Sequence, residues 1–264
     1  MKARKALLAT ILGALILGAA QWASASVLDE VLVTKTLKAC IWPDYFGITY
    51  RNPKTEQLSG IDIELSAAFA RDLGVRLEYV DSSFSSLIAD IESGRCHVAM
   101  FGVGITPARS EKLAFSSPYL ASGIYAITTR SNRRIRSWAD IDQDGAVVVV
   151  ARGTFHEQVM RDTLAHARLL VVDTPFAREQ EVRSGRADVL MTDYPYSRRL
   201  MASADWARLI AAPDGYHLTS YAYALRRGDP QWLARVEKFV HQIKRDGRLR
   251  AAAEKNDLLP ILAK

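Results

Sequence analysis

Beyond residue 26, short apolar runs alternate with segments of helical period. Residues 37–42 read as a strand. Across 61–73, Ile61, Leu65, Ala68, Phe69 and Leu73 recur on one helical face, and Gly74 stops the helix. Residues 75–80 alternate like a strand, 84–91 read as a short helix, and 98–101 as a third strand. That order predicts a parallel sheet. The second half does the same, with strands over 146–150, 169–172 and 189–191 and helices over 155–164 and 176–182. A final amphipathic helix over 231–245 carries Leu233, Val236, Phe239, Val240 and Ile243 on one face.

The two halves also match in residues. Val80-Asp81-Ser82-Ser83-Phe84 parallels Val172-Asp173-Thr174-Pro175-Phe176 at an offset of 92. The run from Glu92 to Met100 parallels the run from Arg183 to Met191 at an offset of 91. Either match alone is within reach of a generic α/β rhythm. In order, with the same elements around them, they argue for two lobes of like topology. Ligands of open α/β sheets bind beyond the carboxyl ends of the strands. Here those ends are Phe101-Gly102 and Thr192-Asp193, so the two points flank a cleft.

The amino terminus changes how the charge is read. Lys2, Arg4 and Lys5 precede an uncharged apolar and small-residue run over 6–20, and Ala23-Ser24-Ala25 has the small-x-small pattern of a signal-peptidase site. The run is short for a membrane-spanning helix. A retained N-terminal anchor is the alternative reading. Cleavage after Ala25 is expected, with export of a soluble mature protein. It lowers the net charge from +6 on 264 residues to +3 on 239. The remaining arginines are scattered, which removes the case for a nucleic-acid partner. The two cysteines, Cys40 and Cys96, enter an oxidising compartment; both are placed on strands of one sheet, and whether they pair stays open. No His/Cys cluster has metal-ligand spacing. His156-Glu157 lacks a second histidine four residues after the first.

Arg109 follows one strand end and Asp193 sits at the other. Such a cleft suits a zwitterion: arginine binds a carboxylate bidentately, and aspartate accepts from an ammonium. Gly153-Thr154-Phe155 opens a helix, where free N–H groups favour an anion. The plainer readings are a surface charge for Arg109 or Asp193 and a helix cap for Thr154. Trp42, Tyr45 and Phe46 follow the first strand, and Phe84 follows the second. Tyr45 and Phe84 are assigned to a ligand side chain, and Phe46 to lobe-core packing.

These residues resemble a known family. Asp44-Tyr45, Gly60-Ile61-Asp62-Ile63-Glu64-Leu65, the run from Gly102 to Arg109, and Phe115-Ser116-Ser117-Pro118-Tyr119 resemble the extracellular solute-binding proteins of family 3, the amino-acid receptors of ABC importers. The resemblance covers essentially the whole mature chain. It implies a two-lobed α/β fold of the type II periplasmic-binding-protein kind, each lobe a mostly parallel sheet flanked by helices. It implies that Arg109 binds the ligand α-carboxylate, with Thr106 and the Gly104 backbone nearby. Asp193 and the Gly102 carbonyl would bind the α-ammonium. Thr154 and the Phe155 amide would close on the carboxylate, and Tyr45 and Phe84 would hold the side chain. Three positions depart from the pattern. Gly104 stands where many members have Ser or Thr, Trp42 where binders of polar amino acids often have Asp, and Phe155 where others have Gly or Thr. The last two make the pocket more aromatic and put a histidine- or lysine-type ligand in doubt.

Periplasmic cyclohexadienyl dehydratases are similar too, at Gly153-Thr154 and at the run from Val189 to Asp193. Their chemistry needs a general acid. They carry Glu three positions after the Thr-Asp pair, where this chain has Tyr196. A tyrosine is a weaker proton donor, and no other carboxylate obviously replaces it. The expectation is therefore a binding protein with no catalytic residue, no cofactor and no metal. The expected arrangement is a signal peptide over 1–25, one lobe over 26–123 and 223–264, and the other over 124–222. Crossings are placed near 124–130 and 219–222. A monomer would deliver a small solute to a membrane permease. A sensor module is disfavoured because the chain ends at Lys264 with no span or signalling domain attached.

Overall fold

The computed structural model describes residues 26–263, so the expected export signal lies outside the described residues. Two mixed sheets organise the molecule, one in each lobe. In the first, Thr36–Ile41 lies between Arg76–Asp81 and Val98–Gly104, all parallel, from Thr36 opposite Arg76 to Ile41 opposite Asp81. In the second, Val147–Ala151 lies between Arg168–Val172 and Val189–Thr192, again parallel, from Val147 opposite Arg168 to Ala151 opposite Val172. The order is the same in both lobes, as the sequence repeat predicts. The central strands are buried apolar runs because helices cover them; Val98–Gly104 is buried along its whole length.

Each sheet is completed by an antiparallel strand delivered from beyond the other lobe. Tyr125–Thr129 pairs with Val189–Thr192, and Thr219–Arg226 pairs with Val98–Gly104. The chain therefore crosses at 123–124 and 211–218, and the segments expected to cross are strands for most of their length. Regular pairing runs almost to the crossings, which touch where the Ile124 amide donates to the Tyr216 carbonyl at 3.0 Å.

Local signals account for the helices around the site. Ile61–Leu73 buries Ile61, Leu65, Ala68 and Phe69 and ends on Gly74 at φ 67°. Phe155–Thr163 starts on Thr154, and Tyr194–Ser203 starts on Asp193, whose carboxylate accepts from the Tyr196 amide. Pro230–Arg245 returns to the first lobe and packs Trp232 and Phe239 on Phe69, with ring centroids 5.6 and 4.6 Å away. Trp232 heads its buried face, with the expected Leu233 half-buried against the core, and the indole N–H donates to the His97 carbonyl at 2.8 Å. Cys40 and Cys96 are bonded, with Cα atoms 5.6 Å apart. Cys40 is on a strand; Cys96 lies in the turn before Val98–Gly104.

Candidate functional site

The carboxyl ends of the two central sheets meet at one cavity. The first lobe supplies Trp42, Tyr45, Phe84, Gly102, Gly104 and Tyr221; the second supplies Thr154, Phe155, His156, Arg178, Thr192, Asp193 and Tyr196. Eight of the ten candidate ligand-binding residues line it. The other two, Thr106 and Arg109, stand behind Gly104. Side chains fill the space closely and leave a cavity of about 20 Å³, room for about one water molecule. An amino acid enters only when the lobes part.

Asp193 is buried and holds the lobes together. Tyr45 and Tyr221, both from the first lobe, donate their hydroxyls to its Oδ2, Tyr221 at 2.9 Å. Burial raises its carboxyl above the ordinary value; the hydrogen bonds from Tyr45, Tyr221 and the Tyr196 amide oppose that shift. Burial and the neighbouring Asp193 carboxylate push Tyr45 and Tyr221 well above the usual phenol range. An ammonium would meet the same carboxylate with more favourable charge than a phenol offers.

Arg109 also bridges the lobes. Its guanidinium donates to the Gly104 carbonyl of its own lobe and the Gly153 carbonyl of the other, both at 2.9 Å, and lies 5.0 Å from the centre of the Phe84 ring. Burial lowers its pKa to about 10. Thr106 fixes its backbone: the hydroxyl caps Pro107–Ser110 by accepting from the Arg109 amide at 3.3 Å. Thr154 caps its helix as well, and its hydroxyl donates to the Ala151 carbonyl at 2.7 Å. That hydroxyl proton is therefore committed, which leaves the helix amides rather than the side chain for an anion.

Gly153 marks the closest approach of the lobes. A Cβ there would lie 2.5 Å from the Ser85 amide nitrogen, and the residue sits at φ +74°. Only glycine fits both conditions.

Trp42, Tyr45 and Phe84 line the cavity together, and their rings meet edge-on at 4.9 to 6.0 Å. Phe46 does not pack in the core. It is 40% exposed beside Tyr50, because the short strand ends at Tyr45, which points inward, and Phe46 begins the turn that follows on the surface. Sequence reasoning missed His156, Arg178 and Tyr221 as lining residues. Tyr221 arrives on the strand borrowed from beyond the other lobe; the other two carry no motif. It also missed a carboxylate near Tyr196. The Tyr196 hydroxyl donates to Glu179, which Arg199 also contacts at 2.9 Å. Burial raises the Tyr196 phenol far above its ordinary value.

The model of the bacterial extracellular solute-binding proteins, family 3, matches residues 37–256. The chain belongs to this family. Among its relatives, a cyclohexadienyl dehydratase of Pseudomonas aeruginosa is 30% identical over 91% of this chain and 90% of its own length. The L-cystine-binding protein TcyJ of Escherichia coli is 26% identical over 96% and 94%. A crystal structure of the ancestral amino acid-binding protein AncCDT-1, described as a precursor of cyclohexadienyl dehydratase, superposes with a TM-score of 0.80 at 31% identity, covering 88% and 99%. Family 3 proteins are extracellular by description, in keeping with the expected export. Among the described residues no group of three or more His, Cys, Asp or Glu side chains could hold a metal ion, and no helix is long and apolar enough to cross a membrane.

Proposed function

We propose that this family 3 protein captures an amino acid by hinge closure and hands it to the membrane permease of an ABC importer. One observation carries the reading. The contacts across the site run through Asp193 and Arg109, whose partners are replaceable by the two ends of a zwitterion. In the open form the ligand carboxylate takes the place of the Gly153 carbonyl on Arg109. The ligand ammonium takes the place of tyrosine hydroxyls on Asp193. Closure then follows from tighter binding to the closed state. The relatives that bind amino acids, TcyJ and the ancestral protein, support this chemistry. We assign residues 1–25 as an export signal removed after Ala25, which places the lobes in the periplasm.

No chemical step is needed. The dehydratase relative is the reason to test for one. At the position of its expected acid, the Tyr196 proton is engaged by Glu179 and held more tightly than in a free phenol. That arrangement favours binding without turnover. In calorimetry with an amino-acid panel, the protein should bind at least one member saturably, and Arg109→Ala should weaken it by at least about 100-fold. Undiminished affinity in that variant overturns the site. Steady formation of phenylpyruvate from prephenate, or of phenylalanine from arogenate, overturns the choice of a binder.

A further inference from the structure

Two polar side chains of the second lobe line the cavity with buried nitrogen atoms left unpartnered. Arg178 is 3% exposed; it donates to the Met191 carbonyl at 2.6 Å and stacks 4.8 Å above the Tyr196 ring, and its Nε has no acceptor. His156 is 5% exposed, and neither of its ring nitrogens has a partner. Among the described residues, the guanidinium bonds of Arg109 and Arg178 go to backbone carbonyls and none to a carboxylate. A buried cation without a counter-ion is costly. Glu179 does not offset the charge, since it is bonded to Arg199 and Tyr196.

A count of charges follows. The groups around the cavity are two guanidinium cations, Arg109 and Arg178, and one carboxylate, Asp193. Arg178 already favours the Asp193 carboxylate electrostatically, but one carboxylate against two cations leaves a net positive charge that a neutral zwitterion does not change. A ligand with two carboxylates and one ammonium satisfies all three. The imidazole of His156 suits the same group. Burial and the nearby Arg178 and Arg109 hold its pKa well below the ordinary value, so it is neutral and offers one N–H donor.

We infer that the ligand is an amino acid with an acidic side chain, its second carboxylate held by Arg178 and His156. The inference rests on the proposed α-carboxylate and α-ammonium roles of Arg109 and Asp193 and extends them to the side chain. Arg178 is then the residue that sets specificity, in the way that a site built to bond a polar group rejects analogues lacking it.

Calorimetry with L-glutamate, L-aspartate, L-glutamine, L-asparagine, L-arginine, L-phenylalanine and prephenate tests this. The wild-type protein should bind glutamate or aspartate about 100-fold more tightly than the matching amide. Arg178→Gln should bring acid and amide within about tenfold of each other, while Arg178→Lys should keep part of the preference. If Arg178→Gln does not fold, as judged by its melting curve, the wild-type panel and the lysine variant still decide. Equal or tighter wild-type binding of an amide, arginine or phenylalanine overturns the inference and leaves the amino-acid reading standing. An unchanged preference in Arg178→Gln overturns it too. Binding of prephenate alone, which has two carboxylates and no ammonium, overturns both, as does binding of none of these ligands.

Discussion

Asp62 and Asp193 are both buried aspartates, each bonded to two tyrosine hydroxyls and to one backbone amide. The difference lies in where those partners come from. Asp62 accepts from Tyr119 at 2.5 Å, Tyr223 at 3.3 Å and the Gly102 amide at 2.9 Å, all in its own lobe. Asp193 takes its two tyrosines, Tyr45 and Tyr221, from the opposite lobe. The same motif is therefore a fixed strut in one place and a releasable latch in the other. Parting of the lobes would leave every Asp62 bond intact and break both Asp193–tyrosine bonds. A polar cluster becomes a switch when its members sit on bodies that move apart.

Exchanging each carboxylate for an amide separates the two roles. Asp193→Asn should weaken amino-acid binding by about 100-fold, because the amide no longer attracts the ligand ammonium and its N–H₂ end opposes it. Asp62→Asn should chiefly cost stability, by roughly 1–3 kcal/mol, through an imperfectly matched buried network. Calorimetry and thermal melts on both variants check the pair. Loss of binding in Asp62→Asn at unchanged melting temperature would invert the comparison.

Gly153 sharpens the latch side. Alanine there adds a strained φ and a Cβ in contact with Ser85 of the opposite lobe, a contact that parting of the lobes would relieve. Gly153→Ala should weaken binding by at least about tenfold beyond any loss of stability. Scattering in the presence of saturating ligand should show a more extended particle than wild type. A variant that closes normally contradicts the close approach.

A pH dependence belongs to the strut side. Burial raises the Asp62 carboxyl from 3.8 to about 7, against the opposing hydrogen bonds from Tyr119, Gly102 and Tyr223. The folded state thus holds this proton more tightly than the unfolded chain. The resulting contribution to stability is complete below the unfolded value near 3.8 and is lost as pH rises through about 7. Melting temperatures of wild type should therefore fall relative to Asp62→Asn between pH 5 and 8. Parallel pH profiles would show that Asp62 titrates elsewhere.

Much of this arrangement is readable along the chain. The helix over 61–73 is delimited by its apolar spacing and by Gly74, and the parallel strands appear as apolar runs. Arg109 and Asp193 stand out because the repeat places them after matching strands. Other features leave no local trace. Phe46 is adjacent to Tyr45 yet faces outward, since the strand ends at Tyr45 and the sequence does not mark where the turn begins. Trp232 is the fully buried residue at the head of Pro230–Arg245, with Leu233 only half-buried beside it, and the apolar spacing does not separate the two. Tyr221 reaches the cavity on a strand whose pairing partner lies more than a hundred residues earlier in the chain. Arg178 and His156 look like ordinary helix residues until the second lobe turns them inward.

By itself the sequence determined the two-lobed alternation of strands and helices, the faces those helices bury and the strand ends where a ligand would sit. These depend on periodicities of 2 and 3.6 residues and on short-range caps, which are written in neighbouring positions. Only the tertiary structure decided which tyrosines hold Asp193, which carbonyls hold Arg109, and that the Arg178 guanidinium faces the cavity. Tyr45 and Asp193 are 148 residues apart and meet because two lobes close on each other. No local period encodes such a pairing, since its free energy exists only once both surfaces are built and brought together.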